Sequence, residues 1–212
     1  MSDPVITVDP AALLDLLRTR RSIRRYRPDP VPEDLLEQVL EAGRWSASAS
    51  NRQPWTFVVV RDPETRAALA QHAAFYFIRW AQVSEAPVLI MLCGDRGNPA
   101  YRRLLHEDLG LAGGQMMLQA HALGLATCWV GGVDRKAMST ILKLPPEVEL
   151  IGLLTLGYAA ESPPPPARKP LAAFVHYDVY GNRAPGAAAQ AGSVRTGWLG
   201  IVLRRFRLPF RV

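Results

Sequence analysis

From Leu109 to Val133 the chain runs for 25 residues without an aspartate, glutamate, lysine or arginine. A stretch of that length can cross a bilayer as a helix, so it sets two alternatives for any fold. Its content decides between them, because six glycines, two glutamines and a histidine lie within it and Gly124 interrupts it. Such a stretch reads as a buried helix that ends at Gly124 and passes into a buried strand, LATCWVG (125–131). A hidden helix followed by a hidden strand needs further apolar layers to cover both.

Those layers are visible in the rest of the chain. Asp9 followed by Pro10 is a helix start, with Leu13, Leu14, Leu16 and Leu17 giving one greasy side. A second helix is expected from about Pro32, with Leu35, Leu36, Val39 and Leu40 on one face and Gly43 as its stop. WTFVVV (55–60), PVLIMLC (87–93) and VELIGLLTLGY (148–158) read as strands. Helices are expected over 63–73, from Asn98-Pro99 to about Gly124, and from Asp134 to the Pro145-Pro146 pair. A stiff SPPPPA segment then leads to an extended piece, FVHYDVY. Strands and helices do not alternate as simple repeats, so the chain is expected to form a sheet with helices on both sides.

Composition narrows the function classes. Apolar residues make up 49% and charged residues 21%, the balance of a globular chain with a sizeable core. Arg183 to Val212 holds six arginines and no acid; removing those six leaves bases and acids equal at 19 each in residues 1–182. The neutral body offers no basic stripe for nucleic acid. Cys93 and Cys128 sit in apolar runs and read as buried reduced thiols. The four histidines show no metal-ligand spacing, and Ser22 and Ser48 have no neighbouring histidine to activate them. Gly110-Leu-Ala-Gly-Gly falls inside a helix and is no dinucleotide fingerprint. The N-terminus lacks the basic and apolar regions of a signal peptide, so a cytoplasmic location is expected.

RTRRSIRRYRP (18–28) packs six arginines into eleven residues. A solvated basic turn, nucleic acid and a small phosphorylated ligand are the three readings open to it. Some thirty residues on, small residues lead into Asn-Arg-Gln-Pro-Trp (51–55) at a helix-to-strand junction. In chain order there follow G-L-A-T-C-W-V-G-G-V-D (124–134) and A-R-K-P-L (167–171), then F-V-H-Y. With R-R-S-I-R (20–24) and S-A-S-N-R-Q-P-W (48–55), these pieces resemble the nitroreductase family of flavoproteins over most of residues 10–178.

The resemblance implies an α+β fold: a three-layer α/β/α arrangement with a central mixed sheet flanked by helices, in an intertwined homodimer whose two FMN sites are each built by both subunits. It implies one FMN-binding domain over 1–183, with 184–212 as a basic, apolar extension. Carried over by position, Arg20, Arg21, Ser22 and Arg24 correspond to contacts with phosphate, ribityl chain and flavin edge. Arg168 corresponds to the arginine that completes the phosphate site. Ala47, Ser48, Ser50 and Asn51 match a loop that reaches the other subunit's flavin, and Val130, Gly131 and Gly132 match the backbone beside the reactive edge of the ring. The chemistry is consistent with these roles: guanidinium forks match a phosphate bidentately, and glycine leaves room for backbone amides to approach a ring.

The implied activity is hydride transfer from NADH or NADPH through flavin N5 to a small electron-poor acceptor, such as a nitroaromatic or quinone, by a ping-pong cycle. The alternatives are a specialised relative that fragments its flavin or reduces a dedicated metabolite, and a flavin-binding or membrane-surface protein with little turnover. Two departures mark this chain. Pro166 stands where the family often has a basic residue, leaving Lys169 as a substitute, and Gly131 stands where some members carry glutamate. The aromatic run 72–82 is expected to line a substrate pocket or pack in the core. WLGIVLRRFRLPFRV (198–212) mixes apolar residues with arginines, and wrapping of the partner subunit is favoured there over contact with a membrane.

Overall fold

The computed structural model describes residues 8–75, 78–97 and 99–183. The chain divides into two compact units, 1–163 and 164–212.

The first unit is organised by β4 (Val88–Asp95), whose first seven residues are all buried. Strand periodicity sends alternate side chains to opposite faces. Leu89, Met91 and Cys93 join one apolar cluster, and Val88, Ile90 and Leu92 join another. A strand buried on both faces must be continuously apolar, which is what VLIMLC provides. Around it the sheet runs β1 (Trp55–Val60), β4, β6 (Val148–Gly157), β5 (Ala126–Val130), every neighbouring pair antiparallel. Among the described residues, the parallel element expected of a mixed sheet is a single bridge, Ser22 with Thr127. Opposite Leu92 and Cys93 the register skips one residue of β6, pairing Gly152 and then Leu150. This bulge resets the alternation, so Leu150 and Leu153 share one face while Ile151 and Leu154 share the other.

Each face is covered by helices. α2 (Glu33–Arg44) and α5 (Leu105–Ala122) cover one through Leu36, Val39, Leu109 and Met116; α3 (Pro63–Gln71), α4 (Gln82–Glu85) and α6 (Arg135–Ile141) cover the other through Leu69, Val83 and Met138. Each such fully buried side chain contributes about 1.5–3 kcal/mol. Asp62 and Asp134 cap α3 and α6 by accepting from Thr65 N at 2.8 Å and Ala137 N at 3.0 Å. The three-layer α+β reading holds. Two short strands, β2 (Ala74–Phe75) and β3 (Ile78–Arg79), form a hairpin apart from the main sheet.

Several local expectations change. Gly43 does not stop α2: it is buried inside the helix, and a Cβ there would lie 2.2 Å from Met116 Cε. It lets α2 and α5 approach closely. The long helix starts at Leu105 after a 3-10 turn (Arg102–Leu104), and Asn98 lies outside the described residues. α1 (Pro10–Thr19) is capped by Asp9 as expected, yet none of its residues is buried; Leu13, Leu14 and Leu17 stay exposed. In the second unit FVHYDVY is not extended. It closes as a turn in which Tyr177 N donates to Asn182 O at 2.8 Å and Gly181 N to His176 Nδ1 at 2.8 Å. The tail WLGIVLRRFRLPFRV lies outside the described residues, as do Tyr76 and Phe77 of the aromatic run.

Candidate functional site

The basic run separates into two sets. Arg18 pairs with Asp15 at 3.7 Å, Arg25 with Glu85 at 3.2 Å, and Arg27 with Asp29 at 3.2 Å while lying over the Tyr158 ring. Arg21 and Arg24 form no such carboxylate pair among the described residues. Arg21 Nη1 donates to the carbonyls of Arg18 and Arg20, at 2.6 and 2.9 Å, and so closes the C-terminal end of α1. Arg24 Nη1 donates to Ser22 O at 3.2 Å, and its backbone N–H donates to Glu161. Beside this segment, Thr19, Arg20, Arg21, His121, Thr127 and Glu161 help to line a cavity of about 280 Å³. Thr19 and His121 Nε2 are in hydrogen-bond contact at 2.9 Å. Desolvation, then Arg20 and Arg21, hold the His121 imidazole below its ordinary range, favouring its neutral form.

The segment is pinned to the sheet from beneath. Ile23 N donates to Thr127 O at 3.0 Å, and Arg27 N to Tyr158 O at 2.9 Å. Ile23 and Tyr26 are buried, whereas Ser22 is half-buried and Arg24 exposed. The Tyr26 hydroxyl donates to Ile23 O at 2.9 Å and contacts Thr155 Oγ1 at 2.6 Å; burial pushes its phenol well above the usual range. It is a hydrogen-bonding post, not an acid.

Val130, Gly131 and Gly132 follow at the far end of β5, which is an edge strand of the sheet. From Thr127, beside Ser22, to Gly131 is four residues of strand, about 13 Å. Val130 is buried, Gly131 exposed and Gly132 half-buried. The Gly132 carbonyl accepts from Trp80 Nε1 at 2.7 Å, and Asp134 N donates to His72 O at 2.9 Å. The run 72–82 thus braces this turn: Trp80 is partly buried against the core, and Gln82 is fully inside it.

The 47–53 loop is strained. Ser50, Asn51 and Gln53 have φ of 53°, 51° and 51°, in the left-handed region that non-glycine residues seldom enter. It is held by Gln53 N donating to Ser48 Oγ at 2.9 Å, Ala49 N donating to Asp108 Oδ1 at 3.0 Å, and a Ser50–Tyr101 hydroxyl contact at 3.4 Å. Arg52 lies over the Tyr101 ring at 4.3 Å. Ala47 and Asn51 are exposed.

This loop and the basic segment grip opposite ends of α5. Asp108 is in its first turn and His121 in its last, thirteen residues or about 20 Å apart. The loop also feeds β1, three strand spacings or about 14 Å from β5. One chain therefore brings Arg20, Arg21, Ser22 and Arg24 to the β5 edge with Val130, Gly131 and Gly132, and keeps Ala47, Ser48, Ser50 and Asn51 away from them. Arg168 is exposed in the second unit, next to Lys169.

Sequence reasoning missed Asp108, Tyr26 and Trp80 as supports. Asp108 did leave a signal: it shares a helical face with Leu105, Leu109, Ala112 and Met116, so an acid was due inside the core. Among the described residues no group of three or more His, Cys, Asp or Glu side chains fits a metal ion, and no helix is long and apolar enough to cross a membrane.

The family profile described as Nitroreductase family matches residues 17–77 and 74–158. A protein of Thermus thermophilus named NADH dehydrogenase is 36% identical over 202 residues, covering 79% of this chain and 94% of the relative. The NAD(P)H-linked FMN reductase of Bacillus subtilis is 29% identical over 188 residues, covering 79% and 74%. A solved FMN-dependent nitroreductase of Clostridium difficile superposes with a TM-score of 0.70 at 26% identity, covering 79% of this chain and 99% of that one.

Proposed function

The chain belongs to the Nitroreductase family, and on that footing we propose that it is an FMN-dependent NAD(P)H oxidoreductase acting as a homodimer. The observation that carries this reading is a gathering of side chains: Arg20, Arg21, Ser22 and Arg24 stand beside the edge strand β5, which runs on into Gly131-Gly132.

The residues fit the cofactor. Arg20 and Arg21 flank a cavity of about 280 Å³, just below the usual range for whole small-molecule pockets. That volume suits a phosphate and part of a ribityl chain. The three-ring system would continue along β5, where Ser22, Arg24 and the glycine amides are exposed or half-buried. In this reading Arg20 and Arg21 hold the phosphate; Ser22 meets the ribityl chain; Arg24 sets a positive charge at the pyrimidine edge. Bound FMN supplies the redox chemistry, a ping-pong exchange in which hydride leaves NAD(P)H for flavin N5 and two electrons then pass to an electron-poor acceptor such as a nitroaromatic or quinone.

A second copy is needed to complete the site. The 48–51 loop lies too far along α5 to reach its own chain's basic segment, but a two-fold axis across α5 would set one copy's first turn beside the other's last. α1 and α5 offer the surface for it: Leu13, Leu14, Leu17 and Leu111 are exposed, and open space lies beside Gly110 and Gly114. The test is direct. The purified protein should be yellow, carry one FMN per subunit and oxidise NADH or NADPH with a quinone; a colourless protein inert with added FMN would overturn the reading.

A further inference from the structure

Gly132 sits in a chain of constraints that begins at Trp80. The indole Nε1 donates to the Gly132 carbonyl at 2.7 Å, which fixes the plane of the Gly132–Val133 peptide. That plane aims Val133 N at the Gly131 carbonyl, where it donates at 3.2 Å. The second bond fixes the Gly131–Gly132 peptide, and in a trans peptide the N–H points opposite to the C=O. The Gly132 N–H is thereby turned away from the turn, and neither it nor the Gly131 N–H donates to any described residue. Two successive glycines impose no such geometry themselves; the restraint is external. Trp80 is fixed in turn, since its backbone N–H donates to the carbonyl of fully buried Ala73 at 2.9 Å and its ring packs on the core.

We propose that Trp80 is a positioning residue for the flavin site, holding the Gly132 carbonyl so that the Gly132 N–H is presented as a fixed donor to the hydride-accepting edge of FMN. The proposal rests on the reading above. A donor fixed before reaction stabilises negative charge as it develops on the ring, without reorganisation at that moment. Its loss therefore falls on the ease of reduction more than on binding, which the phosphate contacts dominate.

The experiment uses the FMN-loaded protein with Trp80→Phe, and with Trp80 replaced by benzothienylalanine, which keeps the bicyclic shape and lacks only the N–H. Flavin affinity, the reduction potential of bound FMN and the rate of its anaerobic reduction by NADH are compared with wild type. We expect affinity within about threefold, a potential shifted to more negative values, and reduction slowed about tenfold to a hundredfold. An isostere whose potential and rate stay within twofold of wild type overturns the proposal. So does one that loses flavin outright, since Trp80 would then brace the whole site. If Trp80→Phe fails to fold, the isostere alone decides. Wild-type protein that binds no FMN would instead sink the proposed function, so the two failures are distinct.

Discussion

Lys143 holds φ of 53° just past the end of α6. Its N–H donates to Thr140 O at 3.1 Å, and Leu144 N donates to Ser139 O at 2.9 Å, the paired bonds of a Schellman ending. That position favours glycine, and the exposed lysine side chain makes no hydrogen bond or ion pair with any described residue. Lys143→Gly is therefore expected to stabilise the protein by about 0.5–1 kcal/mol, read as a raised urea midpoint at unchanged slope. The left-handed residues of the 50–53 loop are a different case, because Ser50 and Asn51 lie where the partner's flavin is proposed to bind, so relieving strain there would alter the site. Arg24 is proposed for the same site. Among the described residues its guanidinium bonds only a backbone carbonyl, so Arg24→Ala costs the fold little. A charge-assisted hydrogen bond contributes about 1.5–3 kcal/mol, so the variant should bind FMN about tenfold to a hundredfold more weakly, by fluorescence titration of the reconstituted protein. Unchanged affinity would remove Arg24 from the cofactor site.

At the scale of elements, the strands and the buried helix were legible because burial on both faces leaves an uninterrupted apolar run, as in VLIMLC and LATCWVG. The basic segment was legible as a motif, and the resemblance left Arg18, Arg25 and Arg27 outside the cofactor set; the acids beside them were not legible, since Arg25 and Arg27 meet Glu85 and Asp29, and Glu85 stands sixty residues from Arg25. Gly43 misled because a glycine near a helix end reads alike whether it stops the helix or admits a neighbour. α5 carries both a tightly packed glycine and an open one, side by side in sequence. A Cβ at Gly113 would lie 2.4 Å from the Trp129 ring and 2.9 Å from Leu92 Cδ1, whereas one at Gly114 meets nothing within 4 Å. Gly113→Ala should destabilise the protein by about 1–3 kcal/mol, the cost of overpacking outweighing the better helix propensity of alanine. Gly114→Ala should leave the subunit as stable or firmer by up to about 1 kcal/mol, yet weaken self-association if that face is covered by a second copy. Thermal melts of dilute protein, alongside sedimentation of both variants, separate the two effects. Equal melting losses for both would mean that the packing around Gly113 is misread.

For the whole molecule, cofactor binding and assembly should be one equilibrium. In a single chain the basic segment and the glycine turn share the β5 edge, while the strained loop lies about 20 Å along α5 and on the sheet's other flank. A flavin held by one chain alone would have its phosphate met and one face of its ring open to water. Whatever binds the dimer and not the monomer stabilises the dimer by mass action, so added FMN should lower the concentration at which the protein dissociates, and dilution below that point should release flavin. Disruption should be strongest where the exposed apolar residues lie. Leu13→Glu with Leu17→Glu sets two charges on α1, none of whose residues is buried against the described chain, so the isolated subunit keeps its fold. The same charges would be desolvated against a partner, at a cost of several kcal/mol if unpaired. The double variant is expected to sediment as a monomer with native circular dichroism and to bind FMN at least tenfold more weakly, although none of its changed side chains touches the proposed phosphate site. A monomer that holds FMN as tightly as wild type would show that one chain builds the whole site, and the two-subunit account would fail.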